Sequence, residues 1–346
     1  MKTTMMDAWI KKSGVAGLTK ARTTVPHITD ENVLIRVLAC GICGSDLSIY
    51  KGYREVPDNL IPGHELCGEV VEIGKLVSGY SVGDYVVPSI VNFCRKCWPC
   101  IHGYEAQCEE LEEIGIHVDG GFAQYVSVPH KILHKVPRTM DPILAASIEP
   151  VAVAYTAVSK AKHFIPGSNA IVFGPGAIGL YIAQLLKVSG AREVIVVGAE
   201  GDDARLHLAK QYGVHTINAF VSNLDDEVKK IIPNKKVEFI FDATGVAGVV
   251  EDILKYLLPH GQLILAGIYK QPGSIDLLEL VRNELTIQGT FCYTLSSFEM
   301  AIKLVIGNHI NFDGIVDTYP LSQLDEAFDR ALHKRSIKVI VKPVLE

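Results

Sequence analysis

What the chain lacks narrows the field first. It has no uninterrupted apolar run long enough to span a bilayer, so no membrane protein is expected. It has no basic excess: 33 lysines and arginines face 39 acidic residues, a net charge of -6 with no basic tract, which argues against nucleic acid or an anionic membrane as partner. Its opening residues, Met1-Lys-Thr-Thr-Met-Met-Asp-Ala-Trp-Ile, show neither a long apolar core nor a small-residue cleavage site, and a cytoplasmic location is expected. Internal repeats and low-complexity segments are absent too. Cysteine is scarce, eight among 346 residues, and four of the eight form one tight cluster. In a reducing compartment such a cluster points to metal rather than to disulfides. The length suggests roughly two domains with ample core.

The first part of the chain is a series of short strands and Gly/Pro turns. Val33 to Cys40 is an apolar run, Gly68-Glu-Val-Val-Glu-Ile-Gly a second that ends on glycine, and Val82-Gly-Asp-Tyr-Val-Val-Pro a third after a turn. That is a β-rich unit, not a repeating α/β one. Between the first two runs lie Gly41-Ile-Cys-Gly-Ser-Asp and Pro62-Gly-His-Glu. Cys43, His64 and Glu65 are zinc-compatible donors, with Ser45 and Asp46 interleaved. A thiolate, an imidazole and a carboxylate leave one tetrahedral position open, which separates a catalytic zinc from a closed structural one. The competing reading of each residue alone is simple packing.

Cys94-Arg-Lys-Cys97-Trp-Pro-Cys100, with Cys108 beyond, can wrap one tetrahedral ion and leaves no open position. A structural zinc is expected there in preference to disulfides or a redox pair. Cys40, Cys67 and Cys292 read as small buried apolar side chains. Helix-like patterning starts near Ile143, and within it Glu149 stands between Ile148 and Pro150-Val151, where an unpaired buried charge is costly. A role as zinc ligand, permanent or exchanging with water, would satisfy it; a place at a helix start would do so in part. The metal role is favoured.

Ala170-Ile-Val-Phe-Gly174-Pro175-Gly176-Ala177-Ile178-Gly179 followed by Leu-Tyr-Ile-Ala-Gln-Leu-Leu-Lys reads as strand, glycine turn and helix. Gly174 permits the turn, Gly176 the close approach of a pyrophosphate, and Gly179 close packing of helix on strand, with helix amides as donors. A second strand, Glu193 to Val197, makes this context a dinucleotide site. Where an acid would grip the adenosine ribose stands Gly198, then Glu200, Asp202 and Asp203; Arg205 is the only cation nearby. NAD is favoured over NADP. Val237-Glu-Phe-Ile-Phe-Asp-Ala-Thr244-Gly and Gly261-Gln-Leu-Ile-Leu-Ala-Gly267 extend the parallel sheet, with Thr244 and Gly267 as further cofactor candidates. The strand-like Ile337-Lys-Val-Ile-Val returns to the first domain.

With both metal patterns and the dinucleotide turn in this order, the chain resembles the zinc-containing medium-chain alcohol dehydrogenases over essentially its whole length. Within them it is most similar to the polyol branch of sorbitol, butanediol and threonine dehydrogenases, through Cys43-Gly-Ser-Asp, Gly63-His-Glu, Ile148-Glu-Pro and Gly120-Gly-Phe-Ala. The resemblance implies an α/β protein: a GroES-like β-barrel catalytic domain from residues 1–150 and 288–346, and a Rossmann doubly wound parallel sheet over 151–287. It implies Cys43, His64 and Glu65 or Glu149 as the catalytic zinc set, Asp46 as partner of His64, and Cys94, Cys97, Cys100 and Cys108 as a structural zinc site. Two zinc ions per chain, NAD with NADP as the alternative, a small alcohol substrate and a homodimer or homotetramer follow from it. Two departures stand out. Ser48 occupies the place where the family commonly has a proton-transferring histidine, and Cys292 lies in the segment where sorbitol dehydrogenases tend to carry arginine.

The implied reaction oxidises a secondary alcohol, a polyol or vicinal diol, to a ketone, with zinc lowering the hydroxyl pKa and hydride passing to NAD. Ser45 would relay the proton toward the nicotinamide ribose, and with Ser48 in the histidine place the last step would pass through water. Tyr50 and Tyr293 read equally as pocket walls or packed aromatics. Alternatives are NADP-dependent or threonine 3-dehydrogenase-type activity and, from another class, a non-catalytic dinucleotide-binding protein on the same fold. The joint presence of Cys43, Ser45, His64 and Glu65 weighs against the last.

Overall fold

The computed structural model describes residues 4–343. They form two compact units. One runs to Glu149 and takes in Thr294–Ile306 and the chain from Phe312 onward; the other comprises Pro150–Tyr293 and Gly307–Asn311. Among the described residues no helix is long and apolar enough to cross a membrane.

The first unit is built on the strand Asn32–Ile42, whose run NVLIRVLACGI, with β-branched Val33, Ile35, Val37 and Ile42, is almost wholly buried. Such residues suit a pleated surface packed on both faces. It pairs antiparallel with Glu65–Ile73 and Tyr125–Pro129 and, at its far end, with the C-terminal strand Lys338–Lys342. The full order is Val316–Pro320, Lys338–Lys342, Asn32–Ile42, Glu65–Ile73, Tyr85–Pro88 and Leu133–Val136. Val33, Ile35, Val70, Val86, Phe122 and Phe328 lie in its core. Each such aliphatic or aromatic side chain contributes about 1.5–3 kcal/mol of burial.

The second unit is a six-stranded parallel sheet ordered His215–Asn218, Val194–Gly198, Ala170–Phe173, Val237–Asp242, Leu257–Leu265 and Thr286–Gly289. AIVF and VIVVG are buried at every position, as a sheet covered on both faces requires. Numbered along the chain the strands run 3-2-1-4-5-6, so the strand order reverses between the parallel neighbours Ala170–Phe173 and Val237–Asp242, where ligands of doubly wound sheets bind. The expected limit at 287 needs correction: it would cut through Thr286–Gly289, which is hydrogen-bonded to Leu257–Leu265 as the sheet's last strand, and the unit continues to Tyr293.

Candidate active site

Strand pairing assembles the centre. Asn32–Ile42 delivers Cys43 at its end, and Glu65–Ile73 starts immediately after His64; their antiparallel register sets Gly41 opposite Glu65. The closeness requires glycine there, since a Cβ on Gly41 would run into the Glu65 carboxylate and the stem of Lys338. Cys43 is the N-cap of the short helix Gly44–Tyr50, and its backbone N–H donates to Asp46 Oδ2 at 2.8 Å. The ligand atoms of Cys43, His64 and Glu65 all lie within 4.8 Å of one another. His64 is 3% and Glu65 1% exposed, so two polar donors are dry.

The electrostatics of this pocket explain how it stays charged. Asp46, itself buried, lies with Oδ1 3.5 Å from His64 Nδ1, an ion-pair spacing without a well-formed hydrogen bond, which turns the other ring nitrogen toward Cys43 and Ser45. Burial alone would push the His64 pKa down; the Asp46 carboxylate, with Cys43, outweighs it and holds the ring well above its ordinary value. Glu65 Oε2 forms an ion pair with Lys338 Nζ, which also donates to Ile42 O at 3.0 Å. Lys338 is 4% exposed, yet its pKa is raised, because Glu65 and then Cys43 overcome desolvation. Lys338 escaped the sequence reading. Its only local signal is a lysine opening an apolar strand, and the long-range register Val339 with Ile42 is what carries it to Glu65.

Glu149 falls in the first turn of the helix Ile148–Ser159 and is buried, but it does not join the three donors at their 4.8 Å spacing. Burial, with Glu65 and Asp46 adding repulsion, pushes its pKa up to about 8 despite the attraction of His64 and Lys338. Ser45 Oγ is 3.4 Å from His64 Nε2. Ser48 Oγ donates back to Gly44 O at 3.3 Å on its own helix. Tyr50 stacks on Phe328 with centroids 4.7 Å apart, and Tyr293 is buried. Cys40 and Cys67 are buried, whereas Cys292 is only half-buried on left-handed backbone at φ 53°, so the apolar-core reading fails for it.

The second cluster stands on one surface segment. Cys94, Cys97, Cys100 and Cys108 bring their sulfurs within 4.8 Å of one another, and none forms a disulfide. The hairpin Val91–Asn92 with Glu112–Glu113 closes its base. Backbone amides aim at the sulfurs: Cys94 N donates to Cys108 at 3.3 Å, Cys97 N to Cys94 at 3.4 Å and Glu110 N to Cys108 at 3.3 Å. The amides of Lys96 and Cys97 push the Cys94 thiol down to about 6, favouring the thiolate a metal needs. Both donor sets fit zinc: four thiolates around a closed centre, and a thiolate, an imidazole and a carboxylate, the last two buried, that leave one tetrahedral position open.

In the second unit Gly174 has φ 95°, and a Cβ on Gly179 would strike Gly174 O. Gly176 is the N-cap of Ala177–Val188 and faces open space, so the turn Gly174-Pro175-Gly176 and the first helical residues Ala177 and Ile178 leave room for a phosphate at the helix amides. Thr244 borders Gly174, and Gly267 lies against the backbone of Gly245. At the end of Val194–Gly198, Glu200 is exposed. Asp202 turns inward, accepting from Ala199 N at 3.0 Å and lying 3.5 Å from Arg205 Nη1.

Comparison with known proteins gives a consistent picture. The Alcohol dehydrogenase GroES-like domain matches residues 29–138, and the Zinc-binding dehydrogenase domain matches residues 177–307. The chain is 31% identical to D-arabinitol dehydrogenase 1 of Uromyces fabae, over 93% of each chain. It is 32% identical to D-arabitol-phosphate dehydrogenase of Enterococcus avium, over 92% of each. A zinc-binding dehydrogenase of Sinorhizobium meliloti, solved bound to NADP, superposes with a TM-score of 0.92 at 27% identity, over 98% of this chain and 100% of that one.

Proposed function

This chain belongs to the zinc-containing medium-chain alcohol dehydrogenases, polyol branch, and on that premise we propose that it oxidises a secondary alcohol of a polyol or vicinal diol to a ketone, with hydride passing to NAD. The observation that carries this reading is the convergence of Cys43, His64 and Glu65 on a dry, charge-compensated centre, separate from the closed cysteine site. Cys43, His64 and Glu65 would hold a catalytic zinc, and Cys94, Cys97, Cys100 and Cys108 a structural one. The catalytic ion, when bound, would supply the Lewis acidity that lowers the pKa of a substrate hydroxyl, so that its proton leaves readily and hydride can depart from the carbon that bears it.

The chain's own groups do the rest. Asp46, on the Nδ1 side of His64, orients the ring and its tautomer so that the other nitrogen faces the metal position, as a carboxylate behind a ligand histidine does. Lys338 offsets the buried charge of Glu65. The hydroxyl of Ser45, beside His64, takes the substrate proton outward; Ser48, bonded back to its own helix, leaves the final transfer to water. Glu149 stands close as a carboxyl able to exchange into the ligand set. Gly174 to Gly179 orient the cofactor's pyrophosphate. Exposed Glu200 supports NAD, whereas Gly198 at the strand end and the NADP held by the Sinorhizobium meliloti protein support trying both dinucleotides. The assembly we expect is a homodimer or homotetramer.

The test is metal content together with reduction of NAD and NADP on a panel of pentitols, hexitols, their phosphates, vicinal diols and threonine. Two zinc ions per chain and turnover on a polyol or diol would uphold the proposal. Tight dinucleotide binding, one zinc and no turnover on any alcohol would overturn it in favour of a non-catalytic binding protein.

A further inference from the structure

The reversal point of the parallel sheet carries a polar cluster that the zinc chemistry leaves unused. Asp242, the last residue of Val237–Asp242, is fully buried, yet every oxygen of its carboxylate is engaged. Thr244 donates to Oδ1 twice, from Oγ1 at 2.7 Å and from its backbone N–H at 3.2 Å. The phenol of Tyr269 donates to Oδ2. The Asp242 carbonyl in turn accepts from the N–H groups of Ala266 at 2.8 Å and Gly267 at 2.9 Å. One residue thus ties together the loops that leave two adjacent strands, Val237–Asp242 and Leu257–Leu265.

Those loops are in close backbone contact. Gly245, at φ 66°, has no room for a Cβ against Ile268 O, and Gly267 has none against Gly245. Thr244 Oγ1 also accepts from Val246 N at 3.1 Å, fixing the turn beyond. Its methyl group borders Gly174, the glycine of the phosphate turn. A buried carboxylate is a costly means of joining two loops where an apolar contact would serve, because its charge must be fully hydrogen-bonded. Burial, and then the Asp242 charge, raise the Tyr269 pKa strongly, so the phenol is a fixed donor and not a base.

In a doubly wound sheet the two halves of a dinucleotide lie on opposite sides of the reversal point. The adenosine half belongs to the side of Val194–Gly198, which leaves the nicotinamide half to the ends of Val237–Asp242 and Leu257–Leu265. We infer that Asp242, Thr244 and Tyr269 form a positioning cluster that sets the loops 243–246 and 266–269 for the nicotinamide half of the cofactor. The inference rests on the dinucleotide-dependent reading above. It is independent of which alcohol is oxidised.

The test measures binding on the full chain, without turnover. Dissociation constants of NADH, NADPH and AMP are measured by fluorescence or calorimetric titration for wild type, Tyr269→Phe and Thr244→Val, alongside thermal midpoints of the free proteins. AMP carries only the adenosine half. The expected result is about a tenfold weaker affinity in both variants for whichever dinucleotide wild type prefers, with AMP affinity within twofold of wild type. Dinucleotide affinity within twofold of wild type in both variants would overturn the inference. So would equal weakening of AMP and dinucleotide, which would mark general damage to the fold. If Tyr269→Phe does not fold, Thr244→Val, which alters a half-buried loop residue, decides alone. Wild type that binds neither dinucleotide would overturn the cofactor reading itself, and this cluster's role with it.

Discussion

The four-cysteine lobe and the Cys43–His64–Glu65 centre both gather their donors within 4.8 Å, but by opposite means. The lobe takes its sulfurs from one surface segment and steadies them with backbone amides of that same segment. The centre takes its donors from two strand ends and buries two of them, and its counter-charges come from Asp46 and from Lys338 near the far end of the chain. A closed site has only to gather thiolates, which local geometry can do. An open site must stay charged while dry and leave a position free, so its support must be charge brought from elsewhere.

The sharpest way to break this comparison is to remove a donor from the open centre. His64→Ala should lower kcat/KM on the best alcohol by a thousandfold or more, about 4 kcal/mol of transition-state stabilisation. Metal analysis should then find one zinc, held by the lobe. Loss of both ions would mean the two sites are not independent. Next in size is Lys338→Met, which strands the Glu65 charge and should cost about 3–5 kcal/mol in urea unfolding. Adding Glu65→Gln should recover much of that loss. A double variant no more stable than Lys338→Met alone would refute the charge-compensation account. Cys97→Ser should do less: loss of the lobe's zinc, about 2 kcal/mol of stability and a thermal midpoint lower by roughly 4–8 °C, with kcat/KM reduced less than tenfold. A larger loss of turnover would show that the lobe supports the active centre directly.

The same contrast decides what could be read before any coordinates. The lobe was legible because Cys94 to Cys108 are neighbours in sequence as well as in space, and the phosphate turn because Gly174, Gly176 and Gly179 lie between one strand and its helix. Cys43, His64 and Glu65 were legible as donor types flanking a β-run. Lys338 was not, since only the antiparallel register of the last strand with Asn32–Ile42 brings it under Glu65. The Asp242–Tyr269 link was hidden for the same reason: it joins adjacent parallel strands whose neighbours in space are separated by a helical crossover in the chain. Cys292 was misjudged because a cysteine's apolar character does not reveal left-handed backbone. The 287 boundary failed because Thr286–Gly289, a short edge strand, has little pattern of its own.

The smallest effect tests the electrostatic half of the comparison with an imidazole that has no metal role. His134, on Leu133–Val136, packs against the Phe298 ring at 4.9 Å, and its Nε2 is buried without a hydrogen bond. Burial lowers its pKa, and the distant attraction of Glu299 does not restore it, whereas His64, more deeply buried, is raised because Asp46 stands beside it. The sign follows from linkage. The folded protein resists protonating His134, while the unfolded chain protonates it near pH 6.5. The contribution of neutral His134 is therefore complete above about pH 6.5 and is lost as the pH falls through that value toward the lower folded pKa. His134→Phe should remove this loss, so that urea midpoints measured from pH 7.5 down to 5 fall less steeply than in wild type. An unchanged slope would mean that burial does not set the charge of this ring.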